Sequence, residues 1–148
     1  MKNLLISTNN DFVLPADVVT QTFAVLAKRR VGKTYTASVM AEEMMKVGLP
    51  FCVLDPTGAW WGLRSSADGK TEGYPVVIIG GAHGDVPLEP TAGKVLADLV
   101  VDHPGWYVID MSQTSSGAEQ DRIACDFADQ LYRRKANSPF PFHLFVDE

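Results

Sequence analysis

The sequence predicts an α/β fold, a mainly parallel sheet with helices on both faces. Three observations predict it. Short apolar runs alternate with segments of helical periodicity along the whole chain. Runs such as Phe51-Cys52-Val53-Leu54 are continuously apolar, as strands buried on both faces are. Strand, helix, strand at this spacing makes a βαβ unit, whose two strands run parallel. A length of 148 residues fits one domain with one core.

Taken in order, residues 1–20 form a lead-in, with a strand at 4–7. Asn9, Asn10 and Asp11 are turn formers, and one helical turn follows Pro15. Residues 22–26 (TFAVL) are the first well-marked strand, rich in β-formers. A helix is expected over 33–47. Ala37, Val39, Met40, Met44 and Val47 share one side, and Glu42 and Glu43 the other. Gly48 sits at its C′ position and Pro50 blocks continuation. Residues 51–54 are a buried strand ending in the turn Asp55-Pro56-Thr57-Gly58.

Residues 59–73 read as a loop holding Trp60, Trp61 and Leu63. A strand over 74–79 closes on Gly80-Gly81, and 82–89 is a polar turn region. Helical spacing of Val95, Leu96, Leu99 and Val100 predicts a helix over 90–101, broken by Asp102-His103-Pro104-Gly105. Residues 106–111 form a strand and 112–117 a hydroxyl-rich loop. The clearest helix covers 118–135: Ile123, Phe127 and Leu131 step by four, and Arg133, Arg134 and Lys135 occupy the last turn, where cations favour the dipole. Pro139 and Pro141 stop it, and 142–146 is the final strand.

Composition excludes several classes. The net charge of −5 gives no general attraction to nucleic acid, so any DNA contact needs a local patch. The amino-terminal Leu-Leu-Ile run is too short for a signal peptide, and no stretch approaches the roughly 18 apolar residues of a membrane span. Cys52 and Cys125 lack metal-ligand spacing and read as buried, reduced thiols, consistent with a cytoplasmic location. His83, His103 and His143 read as surface or strand residues.

Two stretches carry chemistry. Ala27-Lys28-Arg29-Arg30-Val31-Gly32-Lys33-Thr34 joins the first strand to the first helix, as a phosphate-binding P-loop does. Backbone N–H groups at a helix N-terminus meet a triphosphate, and the helix dipole adds to this. Gly32 lets the backbone approach closely, Lys33 reaches the β- and γ-phosphates, and the Thr34 hydroxyl goes to magnesium. Ala27 stands where the strict pattern has glycine, and Tyr35 closes the set of nucleotide-contacting positions. The second stretch, Phe142-His143-Leu144-Phe145-Val146-Asp147-Glu148, is an apolar strand running into two carboxylates. Asp147 is placed to hold a magnesium-bound water and Glu148 to polarise an attacking water. Both stretches lie at carboxyl ends of strands, where such sheets bind ligands. Asp55 and Asp110 end strands on the same side and either line the site or cap turns. Trp60 and Trp61 either stack on a base or belong to the core or an interface.

These residues resemble a family. VLDPTGAWW is similar to the LDPxGE-like element of the HerA/FtsK class of P-loop ATPases, and VVIIGGAHGDVPLEP, WYVIDMSQTSS and LFVDE also look like the HerA-type domain. The resemblance covers residues 22–148. The loop departs from it: HerA loops read GxTGSGKS, whereas RRVGKT also occurs in STAND signalling ATPases. The resemblance implies a RecA/ASCE-like P-loop NTPase fold, ATP and Mg2+ as cofactors, a homohexameric ring with ATP between subunits, and double-stranded DNA moved through the pore. Lys33 and Thr34 become the loop pair, Asp147 the magnesium aspartate, and Lys33 and Glu148 the catalytic residues.

The expected function is therefore Mg-dependent ATP hydrolysis by the motor domain of a DNA translocase or helicase. A STAND-like regulatory NTPase and a non-catalytic nucleotide-binding oligomerisation module are the alternatives. Because Asp147 and Glu148 are its last residues, the chain is expected to be the N-terminal part of a longer protein.

Overall fold

Residues 51–55 are apolar on both alternating sets of side chains, so this strand can be stable only between two covered faces. A computed structural model describes residues 3–9, 11–28, 30–66 and 68–147, and it puts this strand inside a sheet. The elements in order are β1 (Asn3–Leu5), β2 (Val13–Pro15), α1 (Lys33–Val47), β3 (Phe51–Asp55), β4 (Val77–Gly80), α2 (Gly93–Asp102), β5 (Trp106–Asp110), α3 (Gly117–Asn137) and β6 (His143–Val146). Short 3-10 turns cover Ala16–Thr20 and Trp60–Arg64.

Four strands form a parallel sheet in the order β4-β5-β3-β6. Asp55 pairs with Asp110 and Leu54 with Val146, so the carboxyl ends of three strands finish level. Odd and even residues of β3 feed different cores. Phe51 and Val53 pack with Met40, Met44, Trp60 and Phe145 under α1. Cys52 and Leu54 pack with Leu96, Val100, Ile123 and Phe127 under α2 and α3. This is the expected α/β architecture with helices on both faces.

The helix boundaries follow local chemistry. α1 ends where Gly48 takes φ 77° and its N–H reaches the Met44 and Met45 carbonyls, a left-handed C-cap. α3 starts after Ser116, whose hydroxyl accepts from the Glu119 N–H. Arg134 of α3 bonds Asp98 and Asp102 of α2, and Gln130 donates to Asp98 at 2.8 Å.

Several expectations are corrected. Residues 22–26 are not a strand: the segment is in no ladder among the described residues. A strand exists only by backbone pairing. This segment meets β6 through side chains, with Phe23 stacked on His143 at 5.3 Å, and both line one cavity. The parallel pair expected from 22–26 and 51–54 is therefore not formed, and β3 lies between β5 and β6 instead. β4 begins at Val77 rather than at residue 74, and β2 pairs antiparallel with β1 where no strand was expected. Glu43 does not face solvent. It is buried because its Oε2 accepts the Leu5 N–H at 3.1 Å, tying the β1–β2 hairpin to α1, while Lys46 neutralises it. Cys52 is buried, and burial pushes its thiol pKa up, but Cys125 is exposed on α3.

Candidate nucleotide-binding site

The helix start and the strand end predicted to share a site do meet. α1 begins at Lys33, directly after Gly32 at φ 92° and Arg30 at φ 63°. Two left-handed residues in three turn the chain sharply into the helix. Gly32 carries no capping side chain, and its carbonyl accepts the Thr36 N–H at 2.9 Å and the Thr36 hydroxyl at 3.0 Å. No acidic residue occupies the first turn of α1 itself, whose positive end favours an anion.

β6 delivers Asp147 to this helix start. The Asp147 N–H donates to the Leu54 carbonyl at 3.2 Å, which continues the β3–β6 pairing by one residue. Its carboxylate then accepts the Thr34 hydroxyl, at 3.1 Å to Oδ2 and 3.4 Å to Oδ1. The Trp60 indole N–H donates to the same Oδ2 at 2.9 Å. Lys33 and Asp147 line one cavity of about 810 Å³, together with Phe23, Leu26, Ala27 and Trp60.

The donor set fits magnesium. Thr34 Oγ1 and the Asp147 carboxylate are hard oxygen ligands side by side, and magnesium is commonly held by one or two carboxylates plus substrate phosphates. Among the described residues no three His, Cys, Asp or Glu side chains cluster as a metal-holding group, so a cage made of protein alone is not on offer.

The remaining predicted residues are distributed as follows. Ala27 and Lys28 lie in the exposed approach to the loop, Arg30 and Val31 in its turn, and Tyr35 is exposed on the first turn of α1. Arg29 and Glu148 lie outside the described residues. Asp55 caps the turn that follows β3. Its Oδ1 accepts the Thr57 N–H, the Thr57 hydroxyl and the Gly58 N–H, and its Oδ2 the Trp60 N–H at 2.9 Å. Asp110 does the same after β5, accepting the Ser112 N–H at 2.9 Å. Gly81, at φ 67°, packs so close to Asp110 that a Cβ there would lie 1.9 Å from Oδ2. Trp61 is partly exposed and stacks on His83 with ring centroids 4.0 Å apart. His143 is buried beneath Phe23 and Phe145. Burial lowers its pKa, opposed by its contact with the Val19 carbonyl at 3.2 Å.

The tie between Trp60 and Asp147 is the site feature that the residue pattern did not foretell. An aromatic two residues after the Asp-Pro-Thr-Gly turn is its only signal, and that signal does not say where the indole N–H points.

A parallel sheet that brings a Gly-Lys-Thr helix start against a strand-terminal aspartate defines a P-loop nucleoside-triphosphatase fold. The family described as helicase HerA, central domain, matches residues 3–85, more than half of the chain, and the chain belongs to that family. Membership makes this an ATPase-type domain that handles a nucleotide. No curated protein and no solved structure matches the chain. Among the described residues no helix is long and apolar enough to cross a membrane.

Proposed function

We propose that this domain binds ATP with magnesium at the corner between α1 and β6 and hydrolyses it, as the motor of a HerA/FtsK-like DNA translocase or helicase. The observation that carries this reading is the 3.1 Å contact between Thr34 and Asp147, two residues 113 positions apart. Nothing about a generic α/β core requires a helix-start hydroxyl to meet a strand-end carboxylate, whereas an Mg·nucleotide site does.

In this reading the amides at the start of α1 and the Lys33 ammonium hold the β- and γ-phosphates and stabilise the charge that develops on them. Thr34 and Asp147 would hold the magnesium, which would supply charge neutralisation on the phosphate oxygens. Glu148 takes a proton from the water that attacks the γ-phosphorus, and ADP leaves with the bridging oxygen. The HerA family supports assembly as a homo-oligomer, here proposed as a hexameric ring with double-stranded DNA in its pore. With a net charge of −5, the DNA contact would be confined to a local basic patch.

The test is ATP turnover with and without duplex DNA, alongside nucleotide binding. Lys33→Ala is expected to abolish binding, and Glu148→Gln to retain binding while losing turnover. Stimulation by duplex DNA supports the translocase. Slow turnover indifferent to DNA points to a regulatory NTPase, and binding without turnover to an oligomerisation module.

A further inference from the structure

Trp60 is 1% exposed, and its ring is already accounted for by packing. It lies against Phe145 at 5.4 Å, within the core beneath α1. Its indole N–H is not explained by that packing, because a phenyl ring would fill much of the same space. The N–H goes to Asp147 Oδ2 at 2.9 Å.

The bond is the middle of a chain of contacts. Asp55 is fully buried and fixes the Trp60 backbone through the 2.9 Å bond to its N–H. Trp60 then fixes Asp147 Oδ2, and Asp147 meets the Thr34 hydroxyl. Oδ2 thus takes two donors, while among the described residues Oδ1 takes only the longer Thr34 contact of 3.4 Å. A carboxylate clamped through one oxygen has its rotation fixed, and the other oxygen is aimed by that choice.

We propose that Trp60 is a positioning residue for the metal side of the nucleotide site. It clamps Oδ2 of Asp147 so that Oδ1 is left free to face the magnesium or a water bound to it. The inference rests on the reading of Asp147 as the magnesium carboxylate. It goes beyond that reading by assigning the turn after β3 to metal positioning, a task the phosphate-loop and strand-end motifs leave to themselves.

The molecule supplies its own control. Trp106 also donates its indole N–H at 2.9 Å, to the Leu49 carbonyl at the amino end of the sheet, far from Asp147 in the sheet's direction. A structural indole should behave like Trp106, and a positioning indole should not.

The experiment uses the full chain with ADP, in MgCl2 and in EDTA. For the wild type, indole N–H resonances are followed by 15N-resolved NMR. MgADP is expected to move the Trp60 resonance and to leave that of Trp106 in place, while ADP in EDTA moves neither. Affinities are then measured for wild type and Trp60→Phe. Losing a hydrogen bond to a charged group should weaken MgADP binding about 10-fold. Binding of ADP in EDTA should change less than about 2-fold, because the phosphate loop is untouched. Equal weakening with and without metal, or none in either, overturns the proposal. So does a Trp60 resonance unmoved by MgADP in the wild type, which decides the matter even where Trp60→Phe does not fold. Wild-type binding that is strong but indifferent to magnesium sinks the Asp147 reading and the inference with it. Metal-dependent wild-type binding that Trp60→Phe leaves unchanged sinks the inference alone.

Discussion

The α2–α3 layer and the approach to the phosphate loop are both apolar in sequence, and they end up in opposite environments. Ile123 and Phe127 of α3 are fully buried against Leu96, Ala97 and Val100. Residues 22–27 (TFAVLA) hold as dense an apolar run, yet every one of them is exposed, Leu26 at 89%. The difference is in how each segment satisfies its backbone. A helix closes its hydrogen bonds internally and needs only a face to bury. An extended segment needs a neighbouring strand, and residues 22–27 are in no ladder among the described residues. Apolar composition therefore predicts burial where the backbone is self-sufficient and only a capacity for burial where it is not.

The largest effect expected from this contrast is on the α3 side. Phe127 lies on the face of α3 that packs against α2 and the sheet, so Phe127→Ala removes transfer energy and leaves a cavity. Its cost should be about 3–5 kcal/mol in urea denaturation. A loss below about 1 kcal/mol would mean that the layer is loosely packed, and the contrast would collapse from that side.

The same backbone argument explains what could be read from residues alone. α1 runs over residues 33–47 as its periodicity and Gly48 predict, and α3 extends the expected 118–135 by one residue at its start and two at its end. β3, β5 and β6 follow from continuous apolar runs ending in Asp or meeting one. The meeting of Thr34 with Asp147 follows from the Gly-Lys-Thr helix start and the apolar run into Asp147, even though the strand expected before the loop does not form. Other features depended on contacts between distant segments. Glu43 reads as a solvent-facing acid until the β1–β2 hairpin supplies the Leu5 N–H. Trp60 reads as a core or stacking aromatic until β6 supplies the Asp147 carboxylate. In both cases the partner lies more than 35 residues away, and no local pattern encodes it.

His143 lies under the approach to the phosphate loop, stacked on Phe23, and it supplies a smaller, pH-dependent effect. The ring is buried between Phe23 and Phe145, and its pKa is held below the ordinary histidine value. The unfolded chain therefore binds the proton more readily than the folded one, and stability rises with pH across the interval between the two pKa values. This contribution is complete above about pH 6.5 and is lost as pH falls through the lower folded-state value. In His143→Phe the part of the acid destabilisation due to this ring should be missing. Urea midpoints at pH 7.5 and at successively lower pH measure it. Identical pH slopes in wild type and variant would show that the ring is open to water and that Phe23 does not cover it.

The smallest effect is the most informative about the approach to the phosphate loop. Leu26→Ser replaces a large apolar side chain by a small polar one, a change that in α3 would cost as much as a cavity does. At an 89% exposed position it deletes almost no packing, and the stability change should stay within about 0.5 kcal/mol. Urea denaturation of the isolated chain reads this directly beside Phe127→Ala. If Leu26→Ser instead costs about 2 kcal/mol or more, the segment is buried in solution. Residues 22–26 would then be a paired strand, as their β-forming composition predicts, and not an exposed run. A small change combined with intact nucleotide binding would mean that the loop gains its shape from Arg30, Gly32 and the start of α1. The strand-like residues before it would then contribute little to holding it in place.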